Sequence, residues 1–314
     1  MHLMDGVGSL IQMINRKGDS MKLKTLSKLG MALGLGFMLA ACSGGDSGSS
    51  SGKNSDSKEV NLAYVEWDTE IASTNVVGQV LEDLGYNVTL TPLDNAIMWE
   101  AVSKGEADGM VAAWLPHTHA SQYEKYKADL DELGENLAGA KIGLVVPSYM
   151  NVNSIEDLTN EADHTITGIE PGAGITAATE KALEEYDNLA DWNFITSSSG
   201  AMTTSLAKAL KNEEEIVVTG WSPHWKFAKY DLKYLEDPKG VYGGEETINT
   251  FVRKGLKEDL PDVYSVLDNF HWTAEDLESV MLEVMDGKDP KDAAKEWVEA
   301  NPDKVAEWTK DVKK

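Results

Sequence analysis

The chain has a single cysteine among its 314 residues, so no disulfide can form within it. Lys and Arg together number 28 against 53 Asp and Glu, which leaves a net charge of -25. Proteins that bind nucleic acid present basic patches, and this deficit of positive charge excludes that class of partner. The hydrophobic content of 42% and the charged content of 26% are ordinary for a globular protein.

No apolar run is long enough to span a bilayer. The longest, Leu29–Leu39, follows three lysines and leads into Leu-Ala-Ala-Cys at Cys42, a pattern that resembles a bacterial lipobox. We therefore predict a signal peptide over 1–41, with Met21 as its true start. We predict lipidation of Cys42, a flexible Gly/Ser-rich tether over 42–58, and a location on the outer face of the cell membrane.

Recognisable catalytic motifs are also missing. Ser197–Gly200 (SSSG) is typical of a loop and helix cap and does not match the Gly-x-Ser-x-Gly nucleophile elbow. The glycines of Glu170–Ile175 are not followed by the Gly-Lys-Ser/Thr of a phosphate-binding loop. A lipid-anchored hydrolase would need a nucleophile beside a base, and no such pair is evident. We predict that the protein is not an enzyme.

Three tryptophans stand where predicted strands end. Trp67 follows an apolar run at 60–65, Trp114 follows 109–113, and Trp221 follows 215–219. Strands alternating with helical patterns predict an α/β fold with a parallel sheet, whose strand ends are where ligands bind. Each tryptophan alone could be core packing. Together around a cleft they would form an aromatic box for a quaternary ammonium, which has no N–H to donate.

A second feature suits an anion. Glu170–Ile175 (EPGAGI) opens a predicted helix, whose first backbone N–H groups are unpaired and favour negative charge. Alternatively, this stretch is a plain strand-to-helix turn. Among the histidines, His117, His119 and His224 allow a zinc site as one hypothesis, although no cysteine joins them. A histidine that donates to a ligand carboxylate is the other hypothesis.

These motifs have a family resemblance. The chain from about Glu59 onward resembles the glycine betaine/proline betaine-binding lipoproteins of osmoprotectant ABC importers, the OpuA type. The resemblance is carried by WDTEIAST, DNAIMWEAV, GEADGMVAAWLPHTH, KIGLVVPSYMNVNSIEDL, TGIEPGAG, SSSGAM and TGWSPHW.

The resemblance implies a two-lobed, periplasmic-binding-protein-like fold of type II, the Venus flytrap, with the ligand cleft between the lobes. Lobe 1 would comprise 59–146 and 245–314, and lobe 2 would comprise 147–244. The implied partners are glycine betaine or proline betaine, an ABC permease with its ATPase subunit, and the membrane through the lipid anchor. No cofactor is implied. A metal-binding or other small-solute-binding lipoprotein is the alternative.

The resemblance also implies a role for each of six residues. The quaternary ammonium would lie among Trp67, Trp114 and Trp221. The carboxylate would be held by the backbone N–H groups of Gly174 and Ile175 and by His119.

Overall fold

The structure, a computed structural model, describes residues 58–313. The predicted signal peptide, Cys42 and the tether up to residue 57 lie outside the described residues. Within 58–313, no helix combines the length and the apolar character that crossing a bilayer requires.

The described part of the chain contains nine strands and eleven α-helices. The strands are β1 Glu59–Tyr64, β2 Asn87–Pro92, β3 Gly109–Leu115, β4 Leu130–Pro147, β5 Thr165–Thr167, β6 Asn193–Ile195, β7 Val217–Ser222, β8 Leu232–Tyr234 and β9 Glu246–Arg253. The helices are α1 Asp68–Asp83, α2 Asn95–Ser103, α3 Ala120–Tyr126, α4 Gly174–Glu185, α5 Ser199–Asn212, α6 Trp225–Lys229, α7 Leu256–Asp259, α8 Pro261–Asn269, α9 Ala274–Met285, α10 Pro290–Ala300 and α11 Pro302–Trp308.

The strands follow the order β2-β1-β3-β9-β4-β7-β5-β6, with β8 added beside β4. We call β2, β1, β3, β9 and the first part of β4 the first sheet. The second part of β4 with β7, β5, β6 and β8 forms the second sheet. The βα units pair in parallel, β1 with β2 and β3, and β5 with β6 and β7. The strands β4 and β9 pair antiparallel with their neighbours.

A single long strand, β4, connects the two sheets. Its residues up to Ala140 pair with β9, and those from Lys141 onward pair with β7 and β8. The pairing with β9 shifts register three times, and Gly134 (φ 99°) and Gly139 (φ 76°) supply left-handed conformations there. Such irregularities bend a strand and increase its twist, which lets one strand belong to two sheets.

The sequence pattern of Ser121–Leu133 predicts an amphipathic helix, and this prediction is wrong over the second half of the segment. The helix α3 ends at Tyr126, and β4 begins at Leu130. Leu130, Leu133 and Leu137 have helix-like spacing, but this segment pairs with β9, more than a hundred residues later. Pairing between distant segments overrides a local periodicity.

Helix α1 packs its apolar face into the core. Val76, Val77, Val80 and Leu81 are at most 1% exposed. The C-terminal helices α9 and α10 pack against α1, so the end of the chain returns to the first sheet. The predicted lobe boundaries near 146 and 244 stay predictions.

Candidate ligand-binding site

The three tryptophans predicted to form a box line one pocket. Trp67 is the residue before α1, Trp114 is the penultimate residue of β3, and Trp221 is the penultimate residue of β7. Their strand ends meet between the first and second sheets. The pocket measures about 290 Å³, counting space open to solvent. It is lined by Trp67, Trp114, Thr118, His119, Ile142, Ile169, Ala173, Gly174, Ile175 and Trp221.

The tryptophans' exact positions differ slightly from the prediction. Trp114 and Trp221 lie inside their strands, because each strand extends past the apolar run that predicted it. All three rings are buried. Apolar walls come from Ile142 and Ile169, which the sequence did not single out.

The start of α4 forms another side of the same pocket. Ala173 precedes the helix, and Gly174 and Ile175 are its first two residues. Backbone N–H groups at this position have no acceptor within the helix and carry the positive end of its dipole. This wall therefore suits an anionic group.

Gly174 lets α4 approach the turn after β3 closely. A Cβ atom on Gly174 would lie 2.2 Å from the carbonyl oxygen of Thr118, well inside van der Waals contact. Thr118 is itself fixed because its backbone N–H donates to the buried Glu246 carboxylate at 2.9 Å. The start of α4 and the residue preceding His119 are thus in direct contact.

His119 is a neutral hydrogen-bond donor. It is fully buried, and burial lowers the pKa of His119 to about 3, so the ring is uncharged at neutral pH. Its Nδ1 accepts the backbone N–H of Trp114 at 3.1 Å, which assigns the ring proton to Nε2. Within 58–313, Nε2 has no hydrogen-bond partner. A neutral donor on the wall of the pocket is suited to an oxygen acceptor.

Two of the indole N–H groups reach carboxylates. Trp114 Nε1 donates to Glu70 Oε1 at 2.7 Å, and Trp67 Nε1 donates to Glu170 Oε1. Glu70 is completely buried, and burial raises the pKa of Glu70 to about 7. Sequence reasoning did not find these acceptors. The available signals were that Glu70 lies three residues after Trp67 in WDTE and that Glu170 opens the EPGAGI stretch.

The third tryptophan has a different environment. No residue of the described chain accepts the N–H of Trp221. Lys226 Nζ lies 4.1 Å from the centroid of the Trp221 ring. Lys226 is buried, and burial lowers the pKa of this lysine to about 7.

Asp68, at the start of α1, binds residues near the second sheet. It accepts the indole N–H of Trp225 at 2.9 Å and the hydroxyl of Ser199 at 3.2 Å, and His224 Nε2 lies 3.4 Å away. Burial alone would raise the pKa of Asp68, but the nearby His224 ring and the hydrogen bond from Trp225 hold it well below its usual range. These contacts connect α1 with the elements that carry Trp221.

The three candidate zinc ligands have different surroundings. His119 lines the pocket, His224 is buried beside Asp68, and His117 is exposed. Across residues 58–313, no group of three or more His, Cys, Asp or Glu side chains has an arrangement that could hold a metal ion. The structure therefore gives no support to the metal-binding alternative.

Comparison with known proteins identifies relatives of most of the described segment. Residues 58–300 match the family model OpuAC, the substrate binding domain of ABC-type glycine betaine transport systems. The glycine betaine/carnitine transport binding protein GbuC of Listeria monocytogenes serotype 1/2a (strain 10403S) is 59% identical over 163 residues. That alignment covers 51% of this chain and spans about half, 53%, of the relative.

Solved structures agree with this match. Lactococcal OpuAC, crystallised closed with glycine betaine, is 58% identical and superposes with a TM-score of 0.78, covering 80% of this chain and 99% of that one. A choline-binding protein of an ABC transporter, in complex with choline, is 28% identical with a TM-score of 0.74, covering 80% and 91%. The predicted fold class, a two-lobed α/β binding protein, is confirmed.

Proposed function

Because the chain belongs to the family of substrate-binding domains of ABC-type glycine betaine transport systems, we propose that it captures glycine betaine for an importer. Proline betaine, whose ring nitrogen is also quaternary, is proposed as a second ligand. The observation that carries the proposal is one pocket with three indole rings, a helix start and the Nε2 of His119 on its walls.

The trimethylammonium group would lie among Trp67, Trp114 and Trp221. A quaternary nitrogen donates no hydrogen bond, and the negative faces of indole rings attract it at about 0.5–2 kcal/mol per ring. Three rings give roughly 1.5–6 kcal/mol, whereas micromolar affinity needs about 8 kcal/mol. A second set of contacts is therefore required.

The ligand carboxylate would supply those contacts. The backbone N–H groups of Gly174 and Ile175 present partial positive charge, and His119 presents a neutral N–H with its acceptor atom already used. Hydrogen bonds to a charged acceptor are worth about 1.5–3 kcal/mol each, enough to close the gap. Ten residues line the whole pocket, which favours a small solute.

Binding would be coupled to closure. The box draws two rings from beside the first sheet and one from the second, so a ligand that touches all three holds the sheets together. Contacts between the two sides, such as Trp67 with Glu170 and Asp68 with Trp225, stabilise this arrangement. We propose that the closed form docks on an ABC permease whose ATPase subunit drives transport. On this proposal the chain itself acts by binding alone and is not an enzyme.

The proposed location is the outer face of the cell membrane, with Cys42 as the lipid anchor. The support is the apolar run that ends at the chain's single cysteine, followed by a Gly/Ser-rich tether. An extracytoplasmic domain on such a tether can sample the solvent and still reach a permease in the same membrane.

Substitution of Trp114 tests the proposed function. Trp114→Ala removes a wall of the box and should weaken glycine betaine binding at least tenfold, whereas Trp114→Phe keeps a ring face and should cost less. Titrations followed by calorimetry measure both, with circular dichroism as the control for folding. Normal binding by folded Trp114→Ala would contradict the box.

A further inference from the structure

A buried acid lies behind one wall of the tryptophan box. Glu70 is 1% exposed, and its carboxylate accepts the indole N–H of Trp114 and the hydroxyl of Thr69. Burial of a carboxylate is unfavourable unless it is hydrogen-bonded, and within 58–313 no basic side chain hydrogen-bonds to Glu70 or forms an ion pair with it. An apolar residue or a glutamine of similar size would avoid that cost.

The position of Glu70 relative to Trp114 explains why an acid is useful there. A hydrogen bond from a neutral N–H to an ionised carboxylate is stronger than one between neutral groups, and in a low-dielectric site it polarises its donor. Polarisation of the indole N–H towards the carboxylate shifts electron density onto the ring. A cation in contact with that ring is then attracted both by the richer π face and by the charge behind it.

The other two walls provide a comparison within the same pocket. Trp67 also donates its indole N–H to a carboxylate, that of Glu170. Trp221 has no such acceptor in the described chain, and the ammonium of Lys226 lies 4.1 Å from its ring centroid. The negative charge is therefore concentrated behind Trp67 and Trp114, and Glu70 is the more deeply buried of the two acids.

We propose that Glu70 is a positioning and specificity-determining residue of the cation subsite, which acts through Trp114 by fixing the indole and placing a negative charge behind it. This inference rests on the proposed function, since it assumes that the cation of the ligand contacts Trp114. It makes the pocket selective for charge, and not only for the shape of a trimethyl group.

Two ligands of equal shape, one with a cationic centre and one with a neutral centre, distinguish the contribution of charge to binding from that of packing. Glycine betaine carries a quaternary nitrogen, and tert-butylacetate carries a quaternary carbon in the same place with the same carboxylate. Glu70→Gln keeps the size of the side chain and an oxygen that can accept the N–H, but removes the charge. Glu66→Gln is the matched control, because Glu66 is exposed, four residues earlier in the chain, and loses the same charge.

The full chain in detergent, at about pH 8 where Glu70 is mostly ionised, is titrated by calorimetry with both ligands. We expect Glu70→Gln to bind glycine betaine about tenfold more weakly and tert-butylacetate within about twofold of the original affinity. Glu66→Gln should change neither by more than about twofold. Equal losses for both ligands, or no loss for glycine betaine, would overturn the inference.

A double-mutant cycle tests whether Glu70 acts through Trp114. In a Trp114→Phe background the indole N–H is gone, so Glu70→Gln should then change the preference for glycine betaine over tert-butylacetate by less than about threefold. An undiminished effect in that background would overturn the proposed route. If Glu70→Gln does not fold, Trp114→Phe alone should reduce the same preference, and an unchanged preference would overturn it.

The unsubstituted protein keeps the two proposals distinguishable. Failure of the original chain to bind glycine betaine would contradict the proposed function itself. Binding by the original chain with no selective loss in Glu70→Gln would contradict only the role of Glu70.

Discussion

The backbone N–H of Trp114 donates to Nδ1 of His119 at 3.1 Å. Trp114, which belongs to the proposed cation subsite, therefore also orients His119, the residue proposed to donate to the ligand carboxylate. The two residues are five positions apart, on either side of the turn between β3 and α3. This hydrogen bond leaves the Nε2–H of a neutral imidazole as the group that can reach a ligand.

His119→Ala should therefore weaken glycine betaine more than choline. Glycine betaine loses a hydrogen bond to its carboxylate, worth about 1.5–3 kcal/mol or at least tenfold in affinity, whereas choline has only a hydroxyl there. Calorimetry with both ligands measures the difference, and His117→Ala, on the exposed side of the same turn, is the control. An equal loss for the two ligands would remove His119 from the carboxylate subsite.

Gly174→Ala should also weaken binding. The added methyl group would lie 2.2 Å from the Thr118 carbonyl oxygen, so α4 would have to move away from the turn that carries His119. We expect at least a tenfold loss of glycine betaine affinity, because the N–H groups and the histidine could no longer meet one carboxylate. Gly200→Ala is the control, since a Cβ there has no atom within 4 Å. Comparable affinities for the two variants in a fluorescence titration would contradict this account.

The sequence could predict the three tryptophans and the helix start that line the pocket, because each lies at the end of a local pattern. Trp67, Trp114 and Trp221 follow apolar runs, and Gly174 opens a helix after a glycine-rich turn. The sequence could not predict which side chains accept the hydrogen bonds of the indole N–H groups. The partners of Trp114 and Trp67 are 44 and 103 residues away, and an isolated Glu has the same appearance whether buried or exposed.

Dependence on distant contacts also explains why a helix was predicted where the strand β4 begins. The strand β4 runs through a segment whose leucines have helical spacing, and only its pairing with β9 makes it a strand. The type of each βα unit follows from local pattern, whereas the strand that joins the two sheets depends on contacts between distant segments.

Glu70 should make the stability of the ligand-free protein depend on pH. Its folded pKa of about 7 lies above its ordinary value of 4.5, so between those values the folded state retains a proton that the unfolded state has lost. The contribution of Glu70 to the free energy of unfolding is fully present below about pH 4.5. It is lost as the pH rises through 7, at on the order of 1 kcal/mol per pH unit.

The difference between the original protein and Glu70→Gln isolates that contribution. His119, His224 and Lys226 also titrate with lowered pKa values, but they are present in both proteins. Urea unfolding at several pH values should show that the original protein loses stability relative to Glu70→Gln from about pH 4.5 to 7. Parallel pH profiles would show that Glu70 does not titrate in this range.

Cys42→Ser should release the protein from the membrane. The lipid would be attached to that sulfur, and the tether that follows lies outside the part of the chain that carries the pocket. Fractionation of cells followed by detection of the protein measures the release, and glycine betaine affinity should be unchanged. A Cys42→Ser protein that stayed with the membranes would contradict the proposed anchor.

A titration of the full chain with glycine betaine, choline and glycine tests the central claim most directly. Glycine shares the carboxylate, but its ammonium would bury N–H donors against rings that offer no acceptor, at a cost of about 1–3 kcal/mol or more. Choline shares the quaternary cation but leaves the helix start without an anion. We predict tightest binding for glycine betaine, then choline, then glycine. Glycine binding as tightly as glycine betaine would contradict recognition by the tryptophan box.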